Sequence, residues 1–63
     1  MEKRVIELLE EWKKTYEKTI KNNERMMTKY PPEYARHKEA KFVRDYAKER
    51  LEVVNYLIEQ HNK

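Results

Sequence analysis

A chain of 63 residues makes one small domain at most, and 43% of it is charged, with 15 Lys+Arg against 12 Asp+Glu for a net of +3. Glycine, serine and cysteine are all absent, which removes disulfide and thiolate–metal frameworks, Gly-rich phosphate loops and serine nucleophile elbows. Apolar runs such as Val5-Ile6 and Val53-Val54 are short and broken by charges, so neither a signal peptide nor a membrane span is expected and the chain reads as soluble and cytoplasmic.

The first predicted element is a helix over about 2–29. Along it Val5, Leu9, Trp12, Tyr16, Ile20, Asn23 and Met27 recur at 4-3-4-4-3-4, a helical spacing that a period-two strand cannot produce. Trp12 and Tyr16 on this stripe read as core. Leu8, Trp12, Thr15, Thr19 and Met26 line an adjoining face. Asn23 sits on the inner stripe, where a buried side-chain hydrogen bond would fix register; a local kink or a water-filled gap is the competing reading.

Tyr30-Pro31-Pro32 interrupts the pattern. Proline has no N–H and clashes with the preceding helical turn, and the residue before it is pushed out of the α region. The first helix is therefore expected to end near Lys29, with a turn at 30–32. Proline is tolerated in a first turn, so the second helix is predicted over about 32–61, with Glu33 placed at the positive end of its dipole.

The second inner stripe runs Arg36, Ala40, Val43, Ala47, Leu51, Val54 and Ile58, again at 4-3-4-4-3-4. Phe42, Tyr46, Val53 and Leu57 line an adjoining face. The fold expected is all-α, a two-helix antiparallel hairpin in a single domain spanning 1–63, with position i facing position 63 − i. The spacing averages about 3.67 residues per turn and predicts little left-handed supercoil. Chains of this size draw only ~3–5 kcal/mol of net stability from one core. Without disulfides or metals, oligomerisation is the usual remedy. The hairpin is accordingly expected to form a homodimeric four-helix bundle, with Leu8, Trp12, Met26, Phe42, Tyr46, Val53 and Leu57 at the self-association or partner interface. The rival is a hairpin that stays open until it docks on a different protein.

Charge is uneven along the chain. Residues 13 to 48 sum to +6, residues 1 to 12 to −2 and residues 49 to 63 to −1, which makes the turn end of a hairpin positive and the terminal end negative. The plainest reading is a solvated surface laced with the pairs Glu10–Lys14, Glu17–Lys21, Glu33–Arg36 and Asp45–Lys48. Pairing between subunits is a second reading. The third is phosphate binding through Arg25, Lys29, Arg36, Lys38 and Lys41, although +3 is a modest charge for a dedicated nucleic-acid binder.

Chemistry is not indicated. Glu33 and His37 are four apart, but carboxylate-bridged metal bundles use Glu-x-x-His supplied twice, which the chain lacks. The pair reads as exposed, next to cationic Arg36 and Lys38. His61 lies in the last helical turn, where it complements the dipole. The hydroxyls of Thr15, Thr19, Thr28 and five tyrosines have no base in a triad-like setting, so no enzyme activity, metal or cofactor is expected. In size and composition the chain resembles the short helical proteins encoded by bacterial phages and mobile elements. The functional expectation is a non-enzymatic protein-interaction module that self-associates and binds another protein through an exposed helical face. The alternative is a dimeric nucleic-acid-binding protein that uses the basic turn end.

Overall fold

The computed structural model describes residues 2–62, and side chains from Arg4 onward. Two helices, α1 (Glu2–Lys29) and α2 (Ala35–His61), pack along each other as an αα-hairpin of 46 × 14 × 12 Å. No strand occurs among the described residues, and no helix there is long and apolar enough to cross a membrane.

The prolines end α1 as expected, but α2 begins at Ala35 instead of near residue 32. The Tyr34 N–H donates to the Pro31 carbonyl at 3.0 Å, closing a turn over Pro31–Tyr34. Tyr34, the residue before the helix, is extended at φ −80°, ψ 141°. Its carbonyl accepts from the N–H groups of His37 and Lys38 and so opens the helix. Glu33 consequently lies outside α2, whose first turn carries no acidic residue. The dipole role expected for Glu33 is not realised, nor is a helix face shared with His37.

Burial corrects the inner stripes. The α2 residues that are buried or half-buried are His37, Ala40, Arg44, Ala47, Leu51, Val54 and Ile58, at 3-4-3-4-3-4. On α1 the matching seam is Ile6, Leu9, Lys13, Tyr16, Ile20, Asn23 and Met27, with the same spacing and with Thr19 and Met26 half-buried on its flank. Both seams repeat every 3.5 residues, the spacing of a left-handed coiled coil, and not the 3.67 read from the apolar pattern. Val5, Trp12, Arg36 and Val43 are exposed, and their places on the seam are taken by Ile6, Lys13, His37 and Arg44.

The physical reason is the narrowness of a two-helix contact. One helix touches a single neighbour along a strip one or two side chains wide, whereas the apolar arc of each helix here is wider than that strip. Lys13 and Arg44 can occupy the strip because long cationic side chains lay their methylene stems on apolar surface and keep their heads in water. The core proper is small: Leu9, Ala40 and Val54 are each 4% exposed and Ala47 is 1%. Asn23 and Ala40 line one groove between the helices, and the small alanines of the seam let two helices approach closely.

The junction at the turn is made by His37. Pro31 has no N–H to give to the Met27 carbonyl four residues earlier, which leaves that acceptor without its helical partner. The His37 Nδ1 lies 3.0 Å from the Met27 oxygen and 2.9 Å from the Tyr30 oxygen. Both neighbours are acceptors only, so Nδ1 carries the proton and donates to the two. His37 is thus half-buried and ties the start of α2 to the end of α1, where an exposed imidazole was expected.

Asn23 also behaves differently from expectation. Its side-chain amide donates to the Thr19 carbonyl of its own helix at 2.8 Å. The hydrogen bond engages the half-buried amide within its own helix and does not tie α1 to α2.

Candidate interaction face

At 3.6 residues per turn, Phe42, Tyr46, Val53 and Leu57 fall within an arc of about 60° whose centre is about 140° around α2 from its seam. Leu8, Trp12 and Met26 fall about 95° from the seam of α1, in the same rotational sense. Because the helices are antiparallel, the same sense of rotation puts both stripes on one side of the hairpin. A groove lined by Asn23, Met26, Arg36, Glu39, Ala40 and Val43 joins them near the turn. Midway along, Arg50 of α2 lies exposed near Tyr16 of α1 and Tyr46. Its guanidinium is raised above its ordinary pKa, first by a hydrogen bond with the Tyr16 side chain and then by the nearby Tyr46.

Both stripes thus lean toward one side of the hairpin, with the α2 stripe turned well away from α1. Their large side chains are exposed in the single hairpin: Phe42 is 73% accessible and Leu57, the least open of the α2 stripe, 42%. Trp12 is 51% exposed, which places it on this face and not in the core to which its stripe position had assigned it. Leu8, Tyr46 and Val53 are exposed as well, while Met26 is half-buried. Val43 is an addition. The 3.67 spacing had placed it inside, and a strict 3.5 spacing through Ala40, Ala47, Leu51 and Val54 would have placed it on this face.

The basic residues do not gather in the same way. Lys29 Nζ and the Arg36 guanidinium stand 5.7 and 5.6 Å from the ring centroid of Tyr30, and Tyr34 lies against the same ring at 6.4 Å with a 36° tilt. Arg25, Lys38 and Lys41 are exposed but project at widely different angles around the two helices, so the five form no single stripe. The ion pairs within 4.0 Å among the described residues centre on Arg44, which reaches Asp45 at 3.0 Å and, across the hairpin, Glu24 at 3.9 Å. The pairs Glu10–Lys14, Glu17–Lys21, Glu33–Arg36 and Asp45–Lys48 are not closed at that distance.

Among the described residues no three His, Asp or Glu side chains converge as a metal-binding set. His61 occupies the last turn of α2. Comparison with known protein families, curated proteins and solved structures gives no match.

Proposed function

We propose that the protein is a non-enzymatic helical interaction module. In this reading it self-associates through the apolar face into a four-helix bundle and offers its remaining helical surface to another protein, in the manner of a small phage-type regulator or inhibitor. The observation that carries the proposal is the division of apolar residues. The buried core among the described residues consists of Leu9, Ala40, Ala47 and Val54, while the larger Leu8, Trp12, Phe42, Tyr46, Val53 and Leu57 are exposed. Large exposed apolar patches mark association surfaces, and aromatic anchors of this kind supply much of the binding energy in protein interfaces.

The test is sedimentation equilibrium combined with circular dichroism, from ~1 to ~100 µM protein, because association makes apparent stability depend on concentration. Wild type is expected to be dimeric in the micromolar range. Tyr46→Glu and Leu57→Glu are each expected to give a monomer with a large loss of helix, since the small core is then left alone. A wild-type chain that is monomeric and cooperatively folded at the highest concentration would overturn self-association. A dimer unaffected by either substitution would overturn the assignment of the face.

A second reading, nucleic-acid binding at the turn end, is favoured by one observation, the convergence of Lys29 and Arg36 on Tyr30. Under it, the triple change Arg36→Glu, Lys38→Glu and Lys41→Glu abolishes binding to duplex DNA without loss of helix. Wild-type affinity falls steeply with salt as phosphate counterions are released. Undetectable binding at ~50 mM salt removes this reading.

A further inference from the structure

We infer that the occupant of the apolar face is a second copy of this chain lying antiparallel, the turn of each hairpin against the termini of the other. The inference rests on the self-association proposed above and adds the orientation of the partner.

Area supplies the first argument. The single hairpin exposes 5496 Å², whereas a compact monomer of 7.9 kDa would expose roughly 4,400 Å². The excess of about 1,100 Å² exceeds the ~800 Å² that each partner contributes to a standard stable interface. One further hairpin, whose own stripes span the same ~22–27 Å of helix, covers such a surface.

Charge supplies the second and decides the direction. Two identical faces can meet about a twofold axis that runs along the helices or across them. The first choice stacks turn on turn and sets the positive segment, +6 over residues 13 to 48, against its own copy. The second sets the positive turn end of each chain beside the negative terminal segments of its partner, −2 over residues 1 to 12 and −1 over 49 to 63. Like charges placed across an interface suppress an arrangement, and opposite ones fix register. The crosswise axis also sets each α2 antiparallel to its partner's α2 about their midpoints. That places Val53 beside the other chain's Val43, and Tyr46 beside its Arg50.

The chain has no cysteine, so a single Glu33→Cys change in the exposed turn takes one nitroxide label per chain without touching the face. Pulsed dipolar spectroscopy on the labelled full-length protein, at a concentration where sedimentation gives a dimer, then measures the distance between turns. The antiparallel dimer is expected to give a distribution centred near the length of the hairpin, 46 Å. A distribution centred within two helix diameters, roughly 20–24 Å, would mean parallel hairpins. It would overturn the orientation while leaving self-association standing. Absence of dipolar coupling in a chain that sediments as a monomer would remove both.

Discussion

The seam between the helices and the face beside it divide the apolar residues unequally. The seam holds two alanines, one valine and one leucine as its buried members and accepts Lys13, Asn23, His37 and Arg44 along its length. The face holds the tryptophan, the phenylalanine and one of the tyrosines, with leucines and valines around them. Burial of a large apolar side chain is worth about 1.5–3 kcal/mol, and the face keeps most of that contribution outside the single hairpin. The seam thus sets how the two helices lie, through small residues that permit close approach. Most of the large apolar side chains stay open in the single hairpin.

Substitutions in the two regions should therefore act on different observables. The largest effect is expected from Leu9→Ala, which empties the one large buried side chain of the seam. A loss of ~2–5 kcal/mol is comparable with the whole stability of a chain this size. Thermal unfolding followed by circular dichroism should lose its cooperative transition. A variant that melts within a few degrees of wild type would show that the seam contributes little.

Leu57→Ala addresses the face. It should cost ~1.5–3 kcal/mol in the associated state, raising the dissociation constant tenfold or more, and almost nothing in a dilute monomer. Trp12, the only tryptophan and itself on the face, reports the difference. Its emission should move to shorter wavelength as wild-type concentration rises, at higher concentrations for the variant. Identical titrations for the two proteins would place Leu57 outside the contact.

His37→Ala tests the junction between the regions. Removal of the ring leaves the Met27 carbonyl without a donor, because Pro31 cannot supply one. A destabilisation of about 1 kcal/mol is expected, read from urea unfolding at fixed protein concentration. No change in midpoint would mean that water replaces the imidazole at no cost. The smallest effect belongs to Glu24→Gln. The ion pair it removes is long, at 3.9 Å, and half of Glu24 is in solvent, so the change should stay within ~0.5 kcal/mol. A larger loss would make Arg44 a true cross-helix anchor.

Much of the architecture was legible from the order of the residues. Helical periodicity excludes a sheet, and the Pro31-Pro32 pair ends α1 at Lys29 for a local steric reason. Leu8, Phe42, Tyr46, Val53 and Leu57 stand off the main stripes in the sequence and are exposed, whereas the exposure of Trp12 and Val43, which the 3.67 spacing puts inside, was not legible there. On which side of the hairpin each stripe lies followed only once the residues of the seam were known.

The sequence by itself therefore determined that there are two helices, that they turn back at the prolines, and that their apolar surface exceeds what one contact can cover. Only the tertiary structure decided which residues the contact takes. Hydrophobicity alone favours Trp12 and Val43 over Lys13 and Arg44. Two rods packed through Ala40 and Ala47, however, meet along a strip that repeats every 3.5 residues, and that strip runs through the lysine and the arginine. The place of His37 was hidden for a related reason. Its partners are carbonyls ten and seven residues earlier, left in want of a donor by a proline and brought within reach by the turn. A backbone acceptor ten residues away carries no mark in the pattern of side chains.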